Sequence, residues 1–249
     1  MLMPEFKLRA FALVVAGAAA SGSGAIAQQI PRNPEPVRFA VRGWPDGALA
    51  AAGAVLSAMP LVLSDSVASP CPCDPSGLPG WDRGTVGPLR NGPGRWSNVT
   101  LAATLGFAGA GLVLAGEPWE ARAEDVAVLA QAVLVANGLT QVLKTVVARP
   151  RPYVYDGAPS GLVTREDVES FPSGHAVNAF AAAAAYWSIQ RRRGEAGRHK
   201  IEVIGLFALA TATAGLRVAA HRHFSSDVVA GAALGTAVGW VLPRFHALH

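Results

Sequence analysis

Six stretches of this chain contain no charged residue at all: residues 47–64, 99–116, 126–143, 176–190, 203–216 and 228–243. Alanine and leucine dominate them, and each is too long for an ordinary buried strand, so each is expected to be a helix. The fold class that follows is all-α, a bundle of about six helices with no sheet. Every block is shorter than the ~20 residues that span a bilayer untilted. Length alone therefore leaves a membrane bundle and a water-soluble core both open. Gly109, Gly111, Gly231, Gly235 and Gly239 suit the close helix approach used in lipid, which favours a membrane-embedded bundle.

Charge is scarce elsewhere too: 15% of the 249 residues are charged and 51% are hydrophobic, with a mean hydropathy of +0.31. An ordinary soluble domain carries about 25% charged residues, and a disordered chain carries more. The net charge of +4 comes almost wholly from arginine. No basic face interleaved with aromatics is present, so nucleic acid is not an expected partner. The one dense basic cluster, Arg191, Arg192, Arg193, Arg198 and Lys200, lies between two apolar blocks and is expected to be a solvated loop flanking a membrane helix. Cys71 and Cys73 are separated by one proline. Two thiols alone make no zinc site, and a disulfide between them and a loop role without partners stand side by side.

Residues 1–27 run from Lys7 and Arg9 through an apolar stretch to Ala25-Ile26-Ala27, the order of a secretory signal cleaved after Ala27 or retained as an anchor. Residues 28–98 then read as one helix followed by a Pro- and Gly-rich loop from 67 to about 95, and residues 99–249 as the main bundle. Pro60 interrupts the first apolar block. A polar turn from 117 to 125 joins blocks two and three. Asn98-Val99-Thr100 matches a glycosylation acceptor by pattern only.

Three short polar stretches sit at the ends of these uncharged helices. The first is Lys144, six residues, then Arg151-Pro152; the second is Pro172-Ser173-Gly174-His175; the third is Arg217, five residues, His223, three residues, Asp227. If blocks three to six are consecutive antiparallel helices, all three stretches converge at one end of the bundle. Three cations and a helix N-terminus at Ser173 and Gly174 suit a dianionic phosphoryl group. His223 can attack phosphorus, Asp227 can hold the other ring nitrogen, and His175 can protonate the leaving oxygen. No metal ligand set is needed for this chemistry.

In these motifs the chain resembles the type 2 phosphatidic acid phosphatase superfamily, which includes class A acid phosphatases, glucose-6-phosphatase and vanadium haloperoxidases. The resemblance covers roughly residues 126–241. It implies a PAP2-like helical bundle and a metal-independent phosphatase working through a phosphohistidine. By position, His223 would be the nucleophile, Asp227 its orienter and His175 the general acid, with Lys144, Arg151, Ser173, Gly174 and Arg217 binding phosphate. Two positions depart from the family pattern: Leu216 replaces the usual Ser, and His221 stands where many members have Gly.

The expected substrate is a phosphorylated lipid or a small phosphate ester, with no cofactor. Vanadate would enter only if the site served a haloperoxidase. Basic loops stay on the cytoplasmic side, so the Arg191–Lys200 cluster predicts an active site facing the periplasm from a bacterial-type inner membrane. That orientation requires one block not to cross, and residues 47–64 are the candidate. The alternative is a soluble periplasmic acid phosphatase of broad specificity.

Overall fold

In the computed structural model, residues 39, 41, 43–63, 66–68, 73–115, 118–157 and 162–246 are described. The expected signal segment and Cys71 lie outside them. Helices α1 (Gly43–Ser57), α3 (Asn91–Val113), α4 (Trp119–Val147), α5 (Gly174–Arg192), α6 (Lys200–Ala219) and α7 (Ser225–His246) correspond to the six apolar blocks. The last five blocks are shorter than their helices because polar first and last turns belong to the helices as well, whereas α1 stops at Ser57, short of the end of its block. Thus α3 starts at Asn91 with Pro93 in its first turn, where a missing N–H costs nothing. The stretch expected as a polar turn from 117 to 125 mostly forms the first turns of α4, entered from Pro118 with Glu120 near the positive helix end.

The expected loop is refined by one short helix, and the expected absence of a sheet is corrected. The Pro- and Gly-rich loop holds a four-residue helix, α2 (Gly80–Arg83). A minimal sheet also exists, because β1 (Ser66–Ala68) pairs antiparallel with β2 (Leu162–Thr164) in the register Ser66↔Thr164. Three residues are too few to leave a readable alternation in the sequence.

Helix α5 is the axis of the bundle, contacted by α3, α4, α6 and α7. Its centre, Ala181, Ala182, Ala183, Ala184 and Ala185, is fully buried. Small residues there let α7 approach at backbone distance. A Cβ added to Gly235 would lie 2.2 Å from the Val177 carbonyl oxygen, and one on Gly239 would lie 2.3 Å from that of Ala181. Gly231 faces the Ser173 carbonyl in the same row. Gly111 makes room for the Tyr186 ring, whereas Gly109 has nothing within 4 Å and takes no part in close packing. Leu112, Val128, Leu129, Ile189, Leu206 and Leu242 complete the core around Tyr186.

Among the described residues, four helical segments are long and apolar enough to cross a membrane: Asn91–Val113, Trp119–Val154, Lys200–Ala219 and Ser225–His246. Their outer faces expose Phe107, Leu114, Ile201, Ile204, Val229 and Phe245. Helix α1 is not among them. It ends before a 3-10 turn built around Pro60, and its 15 residues reach only about 22 Å. It packs on α4, where Gly53 touches the Leu134 backbone. The basic cluster between α5 and α6 is only partly solvated, because Arg193 is buried and pairs with Asp125 at 2.9 Å.

Candidate active site

The helices alternate in direction, so the end of α4, the start of α5, the end of α6 and the start of α7 meet at one pole, joined there by the start of α3. Between them lies a cavity of about 620 Å³. Its wall includes Lys144, Arg151, Gly174, His175, Arg217 and His223 from the three sequence stretches. Ser173 and Asp227 are fully buried and do not line it.

The cations are anchored by neighbouring protein groups. Arg151 donates from Nε to the Glu166 carbonyl at 2.6 Å and from Nη1 to the Arg222 carbonyl at 3.3 Å. Lys144 Nζ sits 4.0 Å from Glu169 Oε2 and 4.0 Å from the place a Gly174 Cβ would occupy, which puts the ammonium beside the N-terminus of α5. Arg217 donates to Ser97 Oγ at 3.4 Å, and its Nε has no hydrogen-bond partner among the described residues. Ser173 occupies the N-cap of α5 but makes no capping bond, and its buried hydroxyl also has no hydrogen-bond partner among the described residues. Buried donors are ordinarily satisfied, and these two stand at the start of α5 and the end of α6, the pole where the cavity lies.

His223 lies in the loop between α6 and α7 and is 1% exposed. Its Nδ1 donates to the Ser170 carbonyl at 2.7 Å, which leaves Nε2 as the ring's lone-pair nitrogen. Asp227 Oδ2 is 3.8 Å from Nδ1, too far for a hydrogen bond. The direct His–Asp pair expected from sequence is therefore replaced by a backbone carbonyl. Asp227 instead accepts from Ser170 Oγ at 2.5 Å, from the Phe224 amide at 2.9 Å and from Arg149 Nη1 at 2.5 Å. Burial, then the charges of Arg151, Arg217 and Lys144, push the His223 imidazole well below its ordinary range, so it is neutral. Burial and the Arg217, Lys144 and Arg151 cations bring His175 down to about 3. The His175 Nε2 donates to Asn98 Oδ1 at 2.7 Å.

Several of these partners were not singled out by the sequence. Asn98, read there as a glycosylation pattern, stands on the cavity wall. Asn91, Arg95, Glu166 and Arg222 line it too, and Arg222 pairs with Glu166 at 2.6 Å. Arg149 spans Asp227 and Asp82 and stacks over the Phe224 ring at 4.0 Å. Nothing local in the sequence indicates its partners. His221 does not crowd the cavity. It takes a φ of 57°, the conformation glycine adopts freely, and its Nδ1 donates to the Thr85 carbonyl at 2.7 Å.

A family model described as the PAP2 superfamily matches residues 125–249, half of the chain. Solved structures similar to the chain include a transmembrane PAP2-type phosphatidylglycerolphosphate phosphatase from Bacillus subtilis. It is 21% identical, with 82% of this chain and 87% of that chain covered, at a TM-score of 0.45. No curated protein matches.

Proposed function

The chain belongs to the PAP2 superfamily, and we propose that it is a phosphatase that removes a phosphoryl group from a lipid through a phosphohistidine. The observation that carries this reading is the meeting of Lys144, Arg151 and Arg217 with His175 and His223 on the wall of one cavity.

A dianionic phosphoryl group entering the cavity takes the Lys144, Arg151 and Arg217 charges, with the Ser173 hydroxyl and the first N–H groups of α5 on its oxygens. His223 Nε2 supplies the electron pair for a new N–P bond while the P–O bond to the leaving group breaks. The leaving oxygen takes its proton from His175. A dianion offsets the cations that hold the free His175 neutral, so binding itself favours protonation of that ring. Water then attacks phosphorus, gives its proton to His175 and displaces His223. The Nδ1–H bond to Ser170 keeps the attacking tautomer and steadies the imidazolium character that develops.

Fixed cations neutralise the charge that a metal would otherwise neutralise, so activity is expected to survive chelation with EDTA. The lipid preference rests on the apolar outer faces of the crossing helices, since exposed apolar area on this scale suits hydrocarbon better than water. The basic residues of the Arg191–Lys200 loop lie at the pole opposite the cavity, which supports an active site on the outer face.

The test is phosphate release from an aryl phosphate and from a panel of phospholipid, polyprenyl and sugar phosphates by the purified protein. His223→Ala is expected to lose at least about 1000-fold in kcat with the fold intact. Full turnover by that variant, or dependence on added Mg²⁺, would reject the phosphohistidine scheme.

A further inference from the structure

Asp82 lies outside the region matched by the family, yet it is 1% exposed and bound into the catalytic loops. Its Oδ1 accepts from the Ser226 amide at 3.0 Å, and its Oδ2 accepts from Ser226 Oγ at 2.6 Å and Arg149 Nη2 at 2.9 Å. From there an unbroken series of contacts reaches the nucleophile. Arg149 Nη1 donates to Asp227 Oδ1, Asp227 Oδ2 accepts from Ser170 Oγ, and the Ser170 carbonyl accepts from His223 Nδ1.

The segment that presents Asp82 is itself pre-shaped. Arg83 ties it together through the carbonyls of Pro75, Ser76 and Leu78, and Asp74 caps its first turn by accepting from the Ser76 amide. Cys73 at its start is disulfide-bonded. Three more bonds join this segment to the His223 loop or hold its own turn: Arg90 N to the Ala220 carbonyl at 3.2 Å, His221 Nδ1 to the Thr85 carbonyl at 2.7 Å, and Thr85 Oγ1 to the Asp82 carbonyl at 2.6 Å.

We propose that Asp82 is a positioning residue for the phosphoryl-transfer step, acting through Arg149 and Asp227 to fix the Ser170 carbonyl on His223 Nδ1. This deepens the phosphatase reading and rests on it for the kinetic part of its test. The physical reason is that Arg149 reaches two buried carboxylates at once. With Asp82 ionised, the guanidinium fork is pulled both ways and holds one geometry. Without it, Arg149 is free to turn wholly onto Asp227 and weaken that carboxylate's grip on Ser170. Misplacement of a reacting group on the ångström scale costs about 100-fold in rate. The phosphate-binding cations are not part of this series, so substrate binding is left alone.

The experiment compares Asp82→Asn, Asp82→Glu, Arg149→Met and the double variant Asp82→Asn/Arg149→Met in the full-length protein. For Asp82→Asn, kcat is expected to fall roughly 10- to 100-fold, while inhibition by inorganic phosphate changes less than about 3-fold, with partial recovery in Asp82→Glu. In the Arg149→Met background, Asp82→Asn is expected to add less than about 2-fold, since its path is already cut. Unchanged kcat in folded Asp82→Asn, parallel loss of kcat and phosphate binding, or additive effects in the double variant would each overturn the proposal. Should Asp82→Asn alone not fold, the Arg149→Met pair decides. A readout independent of turnover is the ¹⁵N spectrum of the histidine rings, with His223 assigned by its loss in His223→Ala. The wild type should show the Nδ1–H tautomer, and Asp82→Asn a mixture. If the wild type releases no phosphate from any substrate, the phosphatase reading fails, and an unmixed tautomer in Asp82→Asn would then overturn the positioning role by itself.

Discussion

His223 and His175 are both neutral in the free site, and each has consequences that can be measured. Below the ordinary histidine range near 6.5, the unfolded chain binds protons that these buried rings refuse, so stability rises with pH there and is lost as pH falls from about 6.5. Thermal melts between pH 7 and pH 4 should show that decline, and inorganic phosphate should reduce it because a bound dianion lets His175 protonate. In kinetics, kcat should fall as pH rises through the pKa of His175 in the substrate complex, since the acid form is the active one. A profile whose alkaline limb is unchanged in His175→Gln would reject this role. Ser173 offers a separate test. Its buried hydroxyl has no hydrogen-bond partner among the described residues, so Ser173→Ala should leave the free protein as stable as before, or more stable by up to about 1 kcal/mol. The same variant should weaken phosphate inhibition about tenfold. Lys144, Arg151, Arg217 and His223 were legible in the sequence because each stands at a helix end at a readable spacing. Asn98 and Ser170 were not, because their polar partners come from distant segments.

The elements that place these residues meet through small side chains. Gly235 and Gly239 put α7 against the carbonyls of α5, and that contact sets the start of α7, with Asp227, next to the start of α5, with Ser173: the Ser173 amide donates to the Asp227 carbonyl at 3.1 Å. Gly235→Ala should therefore lower stability by about 1–3 kcal/mol and reduce turnover with it, because the methyl has only backbone to push against. Gly109→Ala on α3, with open space around it, is the control and should change the melting temperature little. Both glycines look alike in an apolar run, and the sequence grouped them. The existence of all six helices was legible from apolar content, but their first turns were not. Asn91, Arg95 and Asn98 entered α3 because a helix continues through polar residues when one side faces a cavity. β1 and β2 escaped notice because a three-residue ladder depends on its partner strand more than on its own composition.

For the whole molecule, the outward apolar faces of the four long segments predict that carbonate extraction leaves the protein in the membrane fraction. Release into the wash would favour the soluble acid phosphatase. The sidedness test introduces one cysteine at Asp156, near the cavity pole, or at Gly197, at the opposite pole, with the parent chain and its native Cys71 and Cys73 as the labelling control, and uses a membrane-impermeant thiol reagent on intact cells. Asp156→Cys should label and Gly197→Cys should not; the reverse pattern would invert the proposed orientation. The sequence by itself determined the helical class and the convergence of Lys144, Arg151, Arg217 and His223 at one end of the bundle, because apolar run length and the spacing of charges at helix ends are local properties of the chain. Only the tertiary structure decided what holds His223. The Ser170 carbonyl in place of the Asp227 carboxylate, and the bond between Asp82 and Ser226 across 144 residues, depend on how helices and loops pack around α5, and no local pattern encodes a partner that distant.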